Sequence, residues 1–387
     1  YKCDAIGMTT NADSIRFVYK ICNAIKKEFP NIKIILGGPQ VSYSDEKTLQ
    51  ECSCDIIIRH EGESQIVEVL KNIENGTSYE NVEGITCRSH GILIKNKDAV
   101  ILNLDELPTP QYAIFSDTKY WIIPTHYNQF DTFLKKIRSE YIYFMTGRGC
   151  PYKCLFCVEG TSKNSFRYRS SKNVKKDLVY FLEKSGANYI AIGDDTFTSS
   201  PKRVKALCEV FIEVQKEYNF LWFCEGRVDV LSKYPEIISM MYNAGLRKLQ
   251  IGIESGNPSV LDIYKKGITL EQMEAVVYEA SKYKDLNLCG NIILGNPNET
   301  FQEFTSSLEF IKKLIKISNY KLDITSTYLT PYVGTPIREN PEKYNLEFLI
   351  DDFEFEYYGM IDIICKPKSM SVEELNKLSG ITTFEIL

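Results

Sequence analysis

The stretch YFMTGRGCPYKCLFCVEG, residues 143–160, contains three closely spaced cysteines and indicates a metal site with an incomplete ligand set. Cys150, Cys154 and Cys157 follow the pattern C-x3-C-x2-C. No fourth cysteine or histidine follows nearby, and none of the chain's three histidines is spaced to complete the set. Structural zinc sites close with four protein ligands. The stretch therefore predicts a site with three protein thiolates and one open metal position.

The cysteines follow the first of six apolar segments that alternate with helical patterns over residues 139–337. The predicted strands lie near residues 140–146, 188–193, 220–224, 247–253, 289–295 and 322–330. Apolar residues at helical spacing predict helices between them, at residues 173–185, 200–217, 234–244, 269–283 and 300–316. Six βα units predict a partial barrel of the TIM type, in which functional groups lie at the carboxyl ends of the strands.

The N-terminal part alternates apolar strands with helices and predicts a doubly wound, Rossmann-like α/β domain. Strands are expected at residues 4–9, 32–38 and 54–63, with helices at 14–29 and 64–73. Such domains have five or six strands, so we expect the first strand–helix units to lie before residue 1. The expected segments are a partial Rossmann domain at 1–80, a hairpin and linker at 81–138, the barrel at 139–337 and an extension at 338–387.

The residues around the cysteines suit a soft-metal cluster. Thiolates bind zinc or iron–sulfur clusters, and three of them would leave one iron of a 4Fe–4S cluster free to bind a small molecule. Gly147 and Gly149 allow the backbone to pass close to such a cluster, and Phe156 is placed to shield it from water. The alternative is a loop with three buried cysteines and no metal.

The cysteine pattern after the first barrel strand resembles the signature of the radical SAM superfamily. The resemblance implies a 4Fe–4S cluster on Cys150, Cys154 and Cys157, whose open iron binds S-adenosylmethionine (SAM). It also implies one-electron cleavage of SAM to a 5′-deoxyadenosyl radical, and an electron donor such as flavodoxin or ferredoxin. In such enzymes the cofactor carries the chemistry and the protein positions it.

The resemblance continues along the barrel. The segments that carry it are IGDDTF (192–197), CEGRVD (224–229), LQIGIESGNPSVL (249–261), NIILGNPNET (291–300) and TPYVGTPI (330–337). Taken singly, each also fits a plain turn of the scaffold, but their order and spacing match the superfamily. The residues implied to contact SAM are Asp194, Asp195, Arg227, Glu254 and Ser255. The two aspartates stand where the superfamily commonly has Gly-Gly-Glu.

Residues 4–112 resemble the cobalamin-binding domain that precedes many radical SAM barrels. The segments DAIGMTTNA, IILGGPQVSYSDE and CDIIIRHEGES occur in that domain's order. The resemblance implies a pocket for the nucleotide tail of cobalamin lined by Thr9, Thr10, Gly37, Gly38 and Pro39. The Asp-x-His-x-x-Gly motif, which supplies an axial histidine in some cobalamin proteins, is not in this chain. The alternative is a domain of this shape that binds no cobalamin.

The composition indicates a globular protein without a basic surface. The net charge of −5 gives no bulk electrostatic case for nucleic acid or a membrane. No apolar run is long enough to cross a bilayer, and the scattered cysteines fit a reducing cytoplasm. Cys52 and Cys54 form a pair without an evident partner. Lys265–Lys266 is expected on a solvated helix face.

Several activities fit these patterns. The first is cobalamin-dependent methyl transfer to an unactivated carbon of a small-molecule or peptide substrate. The second is radical SAM cyclisation, rearrangement or oxidation without methyl transfer, since one fold hosts both. A methylthiotransferase of tRNA fits poorly, because the N-terminal part lacks that family's three cysteines. A cluster-bearing scaffold protein without turnover is the non-enzymatic alternative.

Overall fold

The structure is a computed structural model that describes residues 3–111, 123–124, 140–160, 166–350 and 359–384. The chain divides into two compact units, of which the first comprises Tyr1–Leu102 and Tyr328–Cys365 and the second Asn103–Thr327 and Lys366–Leu387. The predicted segment boundaries differ from this division at residue 80 and within 338–387. Part of the predicted hairpin and linker, residues 112–122 and 125–138, lies outside the described residues.

The first unit contains a five-stranded sheet with helices packed against it. Its elements are β1 (Ala5–Thr9), α1 (Ile15–Glu28), β2 (Lys33–Gly37), α2 (Pro39–Tyr43), α3 (Asp45–Glu51), β3 (Ile56–Ile58), α4 (Glu63–Asn75), β4 (Ile85–Ser89) and β5 (Ile92–Lys95). The strand order is β1-β2-β3-β4-β5. The first three strands pair in parallel, as predicted, and the hairpin β4–β5 extends the sheet in antiparallel fashion. This pairing is why the hairpin belongs to the first unit.

The second unit is built on a seven-stranded sheet, together with a small two-stranded sheet beside the cysteines. Its elements up to the last barrel strand are β6 (Ile123–Pro124), β7 (Glu140–Phe144), β8 (Gly147–Arg148), β9 (Arg167–Tyr168), α5 (Ser171–Ser185), β10 (Tyr189–Ile192), α6 (Pro201–Val214), β11 (Leu221–Gly226), α7 (Val228–Lys233), α8 (Glu236–Asn243), β12 (Leu246–Glu254), α9 (Pro258–Ile263), α10 (Leu270–Ser281), β13 (Asn287–Leu294), α11 (Phe301–Ile317) and β14 (Leu322–Tyr328). The order of the large sheet is β14-β13-β12-β11-β10-β7-β6. The chain therefore has the predicted mixed α/β fold, a Rossmann-like domain followed by a partial TIM-type barrel.

Strand alternation decides which side chains face the inside of the barrel. Trp222 of β11 is fully buried and packs on Phe211 of α6, with 5.1 Å between ring centroids. Even-numbered residues of β11 therefore face the helices. Phe223 and Glu225 point to the opposite face, which is the barrel interior. Consecutive strands carry their carboxyl ends to the same edge, where the cysteine loop also begins.

The end of the chain adds a helix to the second unit. After β14 follow α12 (Pro336–Glu339), β15 (Leu346–Phe348), β16 (Cys365–Pro367) and α13 (Val372–Phe384). Leu375 and Leu378 of α13 are fully buried, and Leu375 lies beside Gly295, which follows β13. The Ser369 hydroxyl donates to the Glu299 carbonyl over 2.7 Å. In the described part of the chain, no helix is both long and apolar enough to cross a membrane.

Candidate active site

The cysteine loop follows β7 and is tightly turned. Cys154 is buried, whereas Cys150 and Cys157 are half-buried. The Cys157 amide donates to the Cys154 carbonyl over 3.2 Å. A Cβ atom at Gly160 would lie 2.7 Å from that same carbonyl oxygen, so this turn requires glycine. The three cysteines thus share one compact loop at the carboxyl end of the first barrel strand.

Tyr264 anchors the middle of this loop. Its carbonyl accepts a hydrogen bond from the Leu155 amide over 3.1 Å. The Phe156 ring packs edge-on against the Tyr264 ring, with 4.8 Å between centroids. The buried Tyr264 hydroxyl donates to Asn296 Oδ1 over 2.7 Å. One tyrosine therefore ties the loop to the turn that follows β13.

Burial favours the protonated thiols of Cys150 and Cys157 when no metal is bound. Burial raises the pKa of Cys157 to about 11. The pKa of Cys150 is raised for the same reason, and the neighbouring Cys154 raises both further. Metals bind the thiolate form, so loading this site releases protons and is favoured at higher pH.

The donor set fits an iron–sulfur cluster rather than a single ion. Among the residues that the structure describes, no three His, Cys, Asp or Glu side chains are placed to hold one metal ion. A 4Fe–4S cluster binds each cysteine through a different iron, so its ligands stand farther apart than those of one ion. Three partly or fully buried thiols on one glycine-closed loop are the donor type that such a cluster takes.

Asp194, which follows β10, supports the start of the loop. Its carboxylate accepts hydrogen bonds from the amides of Thr146 and Gly147 over 2.6 and 2.9 Å, and from the Thr146 hydroxyl over 2.6 Å. Arg203 of α6 pairs with the same carboxylate at 2.6 Å, and both side chains are about 95% buried. The Asp194 carboxylate, which the sequence resemblance assigned to SAM, is therefore hydrogen-bonded to backbone amides of the protein itself.

Asp195 differs from its neighbour because it is exposed. Surrounding protein atoms raise the pKa of its carboxyl, and the negative charge of Asp194 raises it further. A hydrogen bond from the Gly149 backbone acts in the opposite direction. Of the two predicted aspartates, Asp195 is thus the one with an accessible carboxylate.

Arg227, which follows β11, directs its guanidinium at the cysteine loop. Its Nη1 atom lies 3.7 Å from Cys154 Sγ. The guanidinium carbon lies 3.6 Å from the centroid of the Tyr152 ring, within the loop itself. The structure therefore brings Arg227 to the predicted site, at the cysteines.

Glu254 ends β12 in a strained conformation. Its φ of 62° is in the left-handed region, which is uncommon for residues other than glycine and concentrates at functional sites. The pairing of β12 with β13 shifts register between Gly252 and Glu254. The Glu254 carboxylate pairs with Lys266 Nζ at 2.5 Å, and their side chains are only 8% and 11% exposed.

The prediction of a solvated Lys266 is wrong. Helix α9 ends at Ile263, so the lysine lies in the turn after it, where its side chain is directed inward. Lys266 Nζ also lies 5.7 Å from the centroid of the Phe156 ring. A signal was present in the sequence, because Gly267 follows directly and marks the turn.

Ser255 belongs to a buried polar network. Its hydroxyl donates to Glu299 Oε1 over 3.2 Å and accepts from the Asn257 amide over 3.0 Å. Glu299 also accepts from Asn296 Nδ2 over 2.6 Å. Burial raises the pKa of Glu299 to about 7. This network joins the ends of β12 and β13, and it includes two residues, Asn296 and Glu299, that the sequence analysis did not single out.

Glu225 is a further interior carboxylate that the sequence analysis did not single out. It is paired in register with Gln250 of β12, whose Nε2 donates to Glu225 Oε1 over 3.0 Å. Surrounding protein raises the pKa of Glu225 to about 7, and the negative charge of Asp195 contributes. The sequence CEGRVD could have identified Glu225. Neighbouring residues of a strand point to opposite faces, and Cys224 faces the helices, so Glu225 faces the barrel interior.

The first unit brings its five predicted residues together. Thr9 ends β1 and Thr10 follows it, and Gly37 ends the neighbouring β2. The Thr10 hydroxyl donates to the Gly37 carbonyl over 2.9 Å. Gly38 has a φ of 103°, and a Cβ there would lie 2.5 Å from the Thr10 carbonyl oxygen. Pro39 follows as the first residue of α2.

Models of two known protein families match parts of the chain. The model of the radical SAM superfamily matches residues 144–311, and that of the B12-binding domain matches residues 1–70. The barrel part of the chain is therefore similar to radical SAM proteins. The radical SAM match implies a 4Fe–4S cluster and SAM as cofactors, and the B12-binding match implies cobalamin.

Individual relatives span almost the whole chain. An uncharacterized methyltransferase of Pyrococcus horikoshii is 28% identical over 381 residues, which is 97% of this chain and 76% of the relative. An anaerobic magnesium-protoporphyrin IX monomethyl ester cyclase of Rubrivivax gelatinosus is 24% identical and covers 97% of the chain. The chain spans 64% of that cyclase's length.

A solved structure has the same fold. The cobalamin-dependent SAM radical enzyme OxsB, with aqua-cobalamin and SAM bound, superimposes with a TM-score of 0.75 at 18% identity. The superposition covers 98% of this chain and 58% of OxsB. At this identity the likeness shows the fold alone.

Proposed function

We propose that the complete protein is a cobalamin-dependent radical SAM methyltransferase that methylates an unactivated carbon of a small molecule or peptide. The observation that carries this proposal is the three-cysteine loop at the carboxyl end of the first barrel strand, in a chain that also has a B12-binding domain. The methyltransferase relative of Pyrococcus horikoshii supports methyl transfer.

The predicted residues around the cysteine loop, with the exception of Arg227, have the following roles in this proposal. Cys150, Cys154 and Cys157 would hold the cluster. Asp195 and the Glu254–Lys266 pair present accessible or polar groups that would face SAM, while Asp194 and Ser255 hold the loop and the strand ends. When bound, the cluster and SAM supply a 5′-deoxyadenosyl radical, and cobalamin supplies the methyl group.

In the first unit, a cobalamin tail would meet the carboxyl ends of β1 and β2. The residues proposed to line this pocket are Thr9, Thr10, Gly37, Gly38 and Pro39. A side chain at position 38 would collide with Thr10, so the turn between β2 and α2, where the cobalamin tail is proposed to lie, requires glycine. The complete protein would need an electron donor such as flavodoxin or ferredoxin.

The experiment uses SAM and cob(I)alamin as probes, because their reactions can be measured without knowing the substrate. The anaerobically reconstituted protein is expected to form 5′-deoxyadenosine from SAM with dithionite. It is also expected to transfer the SAM methyl group to cob(I)alamin, giving methylcobalamin and S-adenosylhomocysteine. The triple variant C150A/C154A/C157A should form no 5′-deoxyadenosine, whereas C3A, at an exposed cysteine outside the loop, should match the wild type.

A second candidate is radical cyclisation or oxidation without methyl transfer. The likeness to the Rubrivivax cyclase favours it. Formation of 5′-deoxyadenosine without methylcobalamin would support this candidate over the first. A wild-type protein with a full cluster that forms no 5′-deoxyadenosine would contradict both.

A further inference from the structure

The guanidinium of Arg227 contacts other groups of the protein through all three of its nitrogen atoms and through its face. Its Nη1 atom faces Cys154 Sγ at 3.7 Å, and its Nη2 donates to the Lys266 carbonyl over 2.7 Å. Its Nε donates to Asp229 Oδ1 over 2.8 Å. Its plane covers the Tyr152 ring at 3.6 Å, and the residue is 7% exposed. All three nitrogens thus have a partner within the protein.

We infer that Arg227 is a positioning residue for the cluster, and that its N–H group raises the reduction potential of the cluster through the Cys154 sulfur. This inference rests on the proposed function. It replaces the role suggested by sequence resemblance, a direct contact with SAM, because the guanidinium already contacts a cysteine, a backbone carbonyl and a carboxylate.

The physical reason is the charge change on reduction. An added electron makes the cluster and its thiolates more negative, so a fixed cation nearby stabilises the reduced state more than the oxidised state. Hydrogen bonds to cluster sulfurs are among the factors that set such potentials. The effect is strengthened by burial, since the Arg227 side chain is only 8% exposed and water screens it little.

The stacking contact gives Arg227 a second, geometric role. Tyr152 lies between Cys150 and Cys154 in the loop, so the guanidinium holds the segment that joins two of the cysteines. Asp229 fixes the plane of the guanidinium through Nε. A lysine could retain the charge, but it could not make the planar contact and the three directed hydrogen bonds together.

The test compares reconstituted wild type with Arg227→Met and Arg227→Lys, using potentiometric titration of the cluster without SAM. We expect Arg227→Met to lower the ratio of reduced to oxidised cluster at a fixed potential by about tenfold. For a one-electron couple this corresponds to a reduction potential lower by about 59 mV. The reduction potential of Arg227→Lys should lie between those of the wild type and Arg227→Met. Lys233→Met, at an exposed lysine that lies over the Tyr234 ring, is the matched control and should titrate like wild type.

The outcomes separate this inference from the proposed function. Equal potentials in wild type, Arg227→Lys and Arg227→Met would overturn the inference while leaving the proposed function intact. If Arg227→Met folds but retains no cluster, Arg227→Lys decides, since a wild-type potential in that variant would also overturn it. A wild-type protein that assembles no cluster would instead contradict the proposed function.

Discussion

Glu299 is a carboxylic acid in a place that water does not reach. It is 1% exposed, and its hydrogen-bond partners Ser255, Asn296 and Ser307 are all neutral. Burial is therefore the main effect on its titration and raises its pKa from the ordinary 4.5 to about 7. A carboxyl whose pKa is raised by folding stabilises the protein fully below its unfolded pKa, and this contribution is lost as the pH rises through 7.

Glu299→Gln should weaken the pH dependence of stability. Between pH 5.5 and pH 8 the wild type is expected to lose about 2 kcal/mol through this one group, whereas the amide does not titrate. The thermal midpoint of metal-free E299Q, measured relative to wild type, should therefore be higher at pH 8 than at pH 5.5. Glu303→Gln is the matched control.

Glu303 lies one helical turn away, is exposed and caps α11, and its pKa is lowered mainly by hydrogen bonds from Thr300. Its titration is complete below pH 5.5, and its charge is a smaller cause of the raised pKa of Glu299 than burial, so E303Q should change the thermal midpoint by nearly the same amount at both pH values. Parallel behaviour of E299Q and E303Q would contradict the assignment of a raised pKa to Glu299.

At the scale of elements, the junction between β7 and the cysteine loop depends on one carboxylate. Asp194 receives two loop amides and the buried charge of Arg203. Replacing it with asparagine leaves the guanidinium without its countercharge, which costs about 3 kcal/mol for buried pairs. The loop should open more readily than the rest of its unit.

Asp194→Asn is expected to accelerate amide hydrogen exchange at Thr146 and Gly147 by at least about tenfold in the metal-free protein. Asp45→Asn provides the control, because Asp45, Arg59 and Thr86 form a buried trio of the same composition in the first unit. That variant should lose stability without faster exchange in the loop. Unchanged exchange in D194N would show that Asp194 does not hold the loop.

Helices and strands were predictable from the sequence where apolar residues repeat with one regular spacing along the whole element. The strands of the barrel and the helices α5, α6, α10 and α11 were located within a few residues, because apolar side chains repeat every two or every 3.6 positions. The short helices α2, α3 and α9 were missed, since so few residues define no period. Lys266 was misplaced for the same reason, because its direction depends on where α9 ends.

The site was predictable as a set of positions, but its contacts were not. The cysteine spacing located the loop, and the superfamily pattern located Arg227 and Glu254. Which of the two adjacent aspartates is buried depends on Arg203, a residue of the next helix that no motif links to Asp194. Such pairings arise from the fold and leave no local pattern.

At the scale of the whole molecule, the last helix belongs to the barrel unit. Leu375 is fully buried beside Gly295, so Leu375→Ala should cost about 2–4 kcal/mol. Faster hydrogen exchange should follow in β13 and α11, but not in the five-stranded sheet of the first unit. Val372→Ala, on the same helix and 38% exposed, should change stability by less than about 0.5 kcal/mol. Equal effects of the two variants would contradict this packing.

The closed turn at Gly160 has a consequence for how a cluster is acquired. The backbone between Cys154 and Gly160 is fixed by contacts within the protein, and Tyr264 and Asp194 fix the residues around it. Most of the entropy of ordering these residues is therefore lost during folding and not during cluster transfer. A carrier protein that delivers a preassembled cluster would meet a receiving surface whose shape is already set, and transfer would be limited by thiol deprotonation and ligand exchange.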